Sequence, residues 1–269
     1  MPELPEVEVV VQTLKKQILN DEIKAVHVYY EPIVYHNPQF KELTGLKITD
    51  ITRKGKYLIF HLTNDIIVVG HLRMEGKFYL KKQEDPIEKH EHFSWELESG
   101  RSVRYQDFRK FGRFSVHHKS TYLTEKPLNK LAPDPTDINF QTFYQKLKTR
   151  KIPIKNALLD QTVIAGLGNI YVNEVLFLSK IHPTKLAQLI TEKQAKEILE
   201  NSITTLDKAI ALGGTTISSY ESSLGVHGRF QLKLNVHGKK GLPCPICHTI
   251  ITKIKVGGRG TYVCENCQK

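Results

Sequence analysis

Apolar positions in the first twenty residues recur at helical intervals. Leu4, Val7, Val11, Leu14 and Ile18 stand three or four residues apart, the spacing that lines up side chains on one helix face, and a helix is predicted over 4–18. The texture then changes. Segments 23–30, 57–62, 66–70, 78–80, 93–97 and 103–105 are short β-branched or aromatic runs between turn residues, which predicts an antiparallel sandwich or barrel. Trp95, the single tryptophan, falls in one of these runs and is assigned to its core. The Pro- and Asp-rich stretch 131–137 marks a boundary.

Helical periodicity returns over 140–148, 153–159 and 169–179. A longer helix begins after Thr191, where Gln194 three residues on completes a capping box. It turns Ala195, Ile198, Leu199, Leu206, Ala209 and Ile210 inward and stops at Gly213-Gly214. Segment 213–229 is rich in Gly, Ser and Thr with no apolar period, so it reads as a long loop of the functional or disordered kind. From Val236 the chain forms a mini-domain in which runs 250–256 and 261–264 are joined by Gly257-Gly-Arg-Gly260. No internal repeat is present.

Composition narrows the class. Across 269 residues, 40% hydrophobic and 25% charged side chains suffice for an ordinary core and exclude a disordered tail protein. The longest apolar stretches, such as 66–69, fall far short of the ~20 residues of a membrane helix. Met1-Pro2-Glu3 does not open a secretory leader, so a cytoplasmic location is expected. Lys and Arg number 39 against 28 Asp and Glu, a net charge of +11. That excess suits a polyanion or an anionic surface, and suits a merely basic soluble protein equally well.

The four cysteines, Cys244, Cys247, Cys264 and Cys267, form two Cys-x2-Cys knuckles 16 residues apart near the C-terminus. Four thiolates from two knuckles suit one tetrahedral, structural Zn²⁺, and the metal supplies stability that so short a unit cannot draw from its own core. His248 follows directly but is surplus to a complete shell. Residues 235–269 carry five Lys and one Arg against one Glu. The glycines around Arg259 let backbone and guanidinium approach a phosphate. A zinc ribbon by itself says that something is bound, not that a reaction is catalysed.

The opening Met1-Pro2-Glu3-Leu4-Pro5-Glu6 admits a chemical reading. Removal of Met1 exposes Pro2 as a secondary α-amine with a pKa of about 7.7–8.0, so that roughly a tenth is free base at neutral pH. Such an amine attacks a sugar or carbonyl carbon and leaves a charged iminium, with Glu3 at hand as acid or base. On its own, however, the hexapeptide reads as an ordinary helix start, where Pro and Glu are common.

Met1-Pro-Glu-Leu-Pro-Glu-Val-Glu8, Gly55-Lys-Tyr-Leu58, His71-Leu-Arg-Met-Glu-Gly76, Lys89-His90, Asp107-Phe-Arg-Lys-Phe-Gly112, Gly166-Leu-Gly-Asn-Ile-Tyr171 and the closing ribbon occur together and in order. Together they change that reading, because the chain closely resembles bacterial formamidopyrimidine-DNA glycosylase from first residue to last. The resemblance implies an α+β multidomain fold: an N-terminal antiparallel β-sandwich domain with a leading helix (1–132), a helix–two-turn–helix DNA-binding domain with a lesion-covering loop at 213–229 (138–230), and a C-terminal zinc-ribbon hairpin (235–269). It implies base excision of oxidised purines from double-stranded DNA and scission of abasic sites by β,δ-elimination, by a monomer associated with the bacterial nucleoid.

The resemblance also assigns roles. Pro2 is the nucleophile and Schiff-base former, Glu3 the acid at the opening sugar, Lys56 the proton donor of β-elimination and Arg259 that of δ-elimination. Met74, Arg109 and Phe111 fill the gap left by the extruded nucleotide. His90, Arg109, a basic position at Arg150 or Lys151, and Asn169 contact DNA, with Gly166-Leu-Gly-Asn169 offering backbone N–H groups to a phosphate. By its position one turn after Asn169–Ile170, Glu174 either anchors that helix or contacts the active site, and the structural role is favoured. Two alternatives stand beside this reading: an endonuclease VIII-like enzyme for oxidised pyrimidines, against which Leu4 and the Arg109–Phe111 arrangement speak, and a non-catalytic zinc-ribbon DNA-binding protein.

Overall fold

The computed structural model describes residues 1–215 and 228–269, so most of the loop read at 213–229 lies outside the described residues. The described chain divides into two compact units, each considered by itself. The first comprises Met1–Asn129 and the short stretch after Leu212; the second comprises Lys130–Leu212 and Arg229–Lys269.

Helix α1 (Leu4–Ile18) opens the first unit over the span its apolar period predicts. Eight strands follow: β1 (Ile23–Val28), β2 (Ile48–Lys54), β3 (Tyr57–Leu62), β4 (Ile66–His71), β5 (Lys77–Lys82), β6 (Glu91–Leu97), β7 (Arg101–Gln106) and β8 (Arg113–His118). They make two antiparallel four-stranded sheets, ordered β1-β6-β7-β5 and β2-β3-β4-β8. The aromatic residues of the two inner faces interlock: Phe60 meets Phe78 and Trp95, and Phe78 meets Phe114. Val7, Val10, Val11, Leu14 and Ile18 of α1 join this core, and Trp95 is fully buried in it.

Strands β2 and β8 carry no clear sequence signal and were not expected. Both are edge strands of the second sheet. An edge strand keeps one side in water, so the polar residues of Ile48-Thr-Asp-Ile-Thr-Arg-Lys54 and Arg113-Phe-Ser-Val-His-His118 dilute the apolar pattern.

The second unit contains α2 (Phe140–Lys148), α3 (Ile154–Leu159), α4 (Asn169–Leu178) and α5 (Glu192–Ala211). The Thr191 hydroxyl accepts from Gln194 N and the Gln194 side chain accepts from Thr191 N, the reciprocal cap read from the sequence. The ribbon hairpin consists of β9 (Thr252–Val256) and β10 (Arg259–Val263). Its turn is narrower than expected: only Gly257 and Gly258 form it, and Arg259 already pairs with Val256 as the first residue of β10. Both glycines have positive φ, 54° and 78°, as a two-residue type I′ turn demands.

Glu174 explains how the ribbon is attached. Its buried carboxylate accepts the backbone N–H groups of Asn235, Val236 and His237 at 2.6, 3.0 and 2.8 Å, together with the Asn235 amide. This is the structural role expected for it. Phe177 then packs with Val236, Cys244, Ile251 and Cys264 as a small separate core.

Candidate functional site

In the first unit, the head of α1 is a buried polar cluster. Glu3 is 2% exposed and Pro2 is buried beside it. Glu6 binds in two directions: its Oε2 accepts from Glu3 N at 2.9 Å, and its Oε1 accepts from the backbone N–H and hydroxyl of Thr215 at 2.8 and 2.9 Å. Burial holds the Met1 amine below its ordinary value; Glu3, Glu6 and Glu75 oppose that shift and Lys56 reinforces it. Lys56 is thus electrostatically in touch with the terminal amine. It occupies the two-residue turn between β2 and β3 after Gly55, whose φ is 56°, and is itself buried. Arg53 braces this turn by pairing with Glu8 at 2.9 Å and donating to Gly55 O at 3.0 Å.

The residues expected to enter DNA sit on two loops that cross between the sheets. Met74 lies in the β4–β5 connection, Arg109 and Phe111 in the β7–β8 connection. Because β4 pairs with β8 and β5 with β7, the two crossings run side by side. Phe111 is 47% exposed and Met74 half-exposed, so neither is core, as the sequence suggests. The Arg109 guanidinium lies 4.7 Å from the Phe111 ring, a cation–π contact that orients both. His90, with φ of 69°, lays its ring 4.5 Å from that of Phe108.

Two residues at the roots of these loops carry roles that the sequence did not assign. Asp107 is fully buried, and its carboxylate accepts the N–H groups of Arg109, Phe111 and Gly112 at 3.0, 2.9 and 2.8 Å. His71 is buried beside Tyr57 and accepts from Arg73 N through Nδ1 at 2.9 Å. Burial, with Arg73 and Lys56 nearby, pushes its pKa down to about 3. The ring is therefore neutral, its proton on Nε2. Both residues belong to motifs quoted for their neighbours, so the signal was in view without its function.

In the second unit, Arg259 is exposed at the ribbon turn. Behind it stands Lys155, which no sequence pattern singled out. Its buried ammonium donates to Asn173 Oδ1 at 2.9 Å, Gly260 O at 3.1 Å and Thr261 Oγ1 at 2.8 Å. Asn169, first residue of α4, donates to the same Gly260 carbonyl at 3.2 Å, while its buried Oδ1 has no hydrogen-bond partner among the described residues. The side chain proposed for DNA is thus turned toward the hairpin. His237 accepts from Asn173 Nδ2 at 2.7 Å in a neutral ring, because burial and then Lys155 and Lys253 lower its pKa to about 4.

Arg150 and Lys151 separate. Arg150 pairs with Asp160 at 3.2 Å and donates to Thr162 Oγ1 at 3.3 Å, whereas Lys151 is exposed. His248 is exposed too, as a surplus imidazole should be.

All four cysteine sulfurs lie within 4.8 Å of one another, with Cys244–Cys267 at 3.9 Å and Cys247–Cys264 at 3.4 Å. Disulfide sulfurs stand ~2.05 Å apart, whereas a tetrahedron of Zn–S bonds of about 2.3 Å sets its sulfurs about 3.8 Å apart. The donor set fits one structural Zn²⁺. Gln268 locks the second knuckle down, accepting from Cys264 N and donating to Ile181 O, both at 3.0 Å.

Comparison with known proteins gives a consistent picture. Family profiles match at residues 1–114 (formamidopyrimidine-DNA glycosylase N-terminal domain), 131–221 (formamidopyrimidine-DNA glycosylase H2TH domain) and 241–269 (zinc finger found in FPG and IleRS). The formamidopyrimidine-DNA glycosylase of Oceanobacillus iheyensis is 43% identical over 100% of this chain and 98% of its own, and that of Ligilactobacillus salivarius 45% over 100% and 99%. Among solved structures, Lactococcus lactis Fpg with abasic-site DNA is similar at a TM-score of 0.94 and 41% identity, covering 100% of both chains. The same relative in complex with DNA containing an oxidised pyrimidine gives 0.92 and 40%, again over 100% of both.

Proposed function

The chain belongs to the formamidopyrimidine-DNA glycosylase family, and from that premise we propose how its own residues carry out the chemistry. It is a DNA glycosylase and abasic-site lyase of base-excision repair, with damaged DNA as its partner and one structural zinc site. The residue roles below are our reading.

Loss of Met1 leaves Pro2 as the amine at the head of α1. Its nitrogen lone pair attacks C1′ of the damaged nucleotide and the glycosidic bond breaks. Glu3 protonates the sugar oxygen as the ring opens, leaving an iminium between Pro2 and C1′. That cation is an electron sink: removal of a C2′ proton expels the 3′ phosphate, and a second elimination expels the 5′ phosphate. Lys56 supplies a proton in the first elimination and Arg259 in the second. His71 offers an uncharged Nε2–H donor next to Lys56. Lys151, exposed where Arg150 is tied to Asp160, is the phosphate contact of that pair.

One observation carries this reading: the buried polar cluster at the head of α1, where Pro2 and Glu3 are buried together and Glu6 accepts from Glu3 N at 2.9 Å; burial there holds the Met1 amine, one residue before Pro2, below its ordinary value. A neutral amine is the form that attacks. The test is borohydride reduction of the Met1-processed protein on duplex DNA with an abasic site or 8-oxoguanine, followed by peptide mapping. We expect a covalent adduct on Pro2; an adduct on a lysine overturns the assignment, and no adduct favours a non-catalytic binder.

Oxidised purines are the principal substrates in this reading. A second, for oxidised pyrimidines, is supported by the Lactococcus complex with such a lesion. Rates on 8-oxoguanine:C and thymine-glycol duplexes separate the two. The described residues include no helix long and apolar enough to cross a membrane, and we place the protein, as a monomer, at the bacterial nucleoid.

A further inference from the structure

Resting on that reading, we propose that the Tyr105 hydroxyl and the Asp107 carboxylate are positioning residues that hold the Met74 loop and the Arg109–Phe111 loop in one fixed relation, and so set discrimination of the base opposite the lesion.

Both loops close on a glycine, Gly76 before β5 and Gly112 before β8. The Tyr105 phenol fills the space that a side chain would need at each. A Cβ on Gly76 would overlap the hydroxyl, with Tyr105 Cζ 2.9 Å and Leu72 O 2.7 Å away; a Cβ on Gly112 would overlap the same hydroxyl, with Cζ 2.7 Å away. One oxygen atom therefore touches the ends of both crossings.

The phenol is itself immobilised. Its ring stacks on Phe93 at 5.2 Å and meets Phe78 at 5.4 Å and Phe114 at 4.6 Å. Phe78 and Phe114 are the first core residues after the two loops. The hydroxyl donates to Asp107 Oδ2 at 3.4 Å, and that same carboxylate gathers the three N–H groups of the second loop. Each loop also carries a non-glycine residue in left-handed backbone, Arg73 at φ 55° and Lys110 at φ 57°. Such strain persists only where the surroundings over-determine the conformation. The first loop is held by Arg73 N on His71 and the second by Asp107.

The consequence is geometric. In the roles that the resemblance implies, Met74, Arg109 and Phe111 fill the vacated stack; the Arg109 guanidinium is then placed to hydrogen-bond the orphaned base, and such a bond weakens steeply as its angle departs from linear. Discrimination between opposite bases then depends on where Arg109 stands relative to the wedge, which is what the shared phenol fixes. Nothing in the sequence couples Tyr105 to Gly76; only the pairing of β5 with β7 does.

The test compares Tyr105→Phe with Val103→Ala, a buried control on the same strand that reaches neither loop. Three quantities are read: melting temperature, borohydride trapping on an abasic duplex, and the ratio of kcat/KM for 8-oxoguanine opposite C and opposite A. Tyr105→Phe is expected to keep trapping at the wild-type level while its C-to-A ratio drops about fivefold, the factor that one long hydrogen bond commands. Asp107→Asn is expected to move the ratio in the same direction, and Val103→Ala to lose stability with the ratio intact. An unchanged ratio in Tyr105→Phe overturns the proposal, as does an equal shift in Val103→Ala. Wild-type protein that forms no adduct overturns the functional reading itself, and this inference with it.

Discussion

A buried imidazole that stays uncharged in the folded state until strongly acid pH makes stability depend on pH, and His71 is such a group. Its folded pKa of about 3 lies well below its unfolded value of 6.5. The unfolded chain therefore takes up a proton between these values that the folded chain refuses. The sign follows: His71 costs nothing above pH 6.5, and stability falls as pH drops from 6.5 toward 3, by at most about 4 kcal/mol for this one group. Urea midpoints measured from pH 7 to pH 4 should decline, and His71→Gln should flatten the decline. An identical slope in the variant would place the acid sensitivity elsewhere. His237 acts in the same direction over a narrower range, down to about 4, but acid also protonates the nearby thiolates, so His71 is the cleaner probe.

At the level of elements, the ribbon turn separates two reasons for glycine. Gly257 and Gly258 both need positive φ, yet a Cβ on Gly258 meets nothing within 4 Å while one on Gly257 runs into the Asn156 side chain. Gly258→Ala should cost about 1 kcal/mol of backbone strain, and Gly257→Ala more. Adding Asn156→Ala should recover the excess for Gly257 and leave the Gly258 variant unchanged, a coupling that thermal denaturation of the wild type, the three single variants and the two double variants resolves. The strand pairing that creates this turn was legible from two Cys-x2-Cys knuckles and a glycine-rich link, as α1 was from five apolar residues at helical spacing. Edge strands β2 and β8 were not, because polar residues interrupt the apolar run of each. Likewise the cysteines stand out by residue type and spacing, and Pro2 and Glu3 through the motifs shared with the family, whereas Lys155 acts on a hairpin some hundred positions away. Its partner is created by folding, and no local pattern announces it.

For the whole molecule, charge and metal make separable predictions. The net charge of +11 implies that binding to DNA releases counterions; six to ten phosphate contacts would lower affinity about 10³–10⁵-fold between 50 and 200 mM salt, and a flat titration would contradict a phosphate-reading surface. Metal removal is more selective. The ribbon has only a small core of its own, Phe177 with Val236, Cys244, Ile251 and Cys264, so its order depends on the thiolate site. Trp95, by contrast, is fully buried between the sheets of the first unit, whose aromatic core contains no cysteine. The single tryptophan therefore reports on the unit that lacks the metal. Chelation should leave its emission unchanged while removing the far-ultraviolet signal of β9 and β10 and abolishing the second elimination, which in the proposed mechanism draws on Arg259 of a formed hairpin. Product analysis should then show strands ended by β-elimination alone, with the 3′ sugar remnant retained, and readdition of Zn²⁺ should restore the phosphate end. If Trp95 emission shifted with chelation, the two units would not be independently stable; if both eliminations survived without zinc, Arg259 would not be the second proton donor.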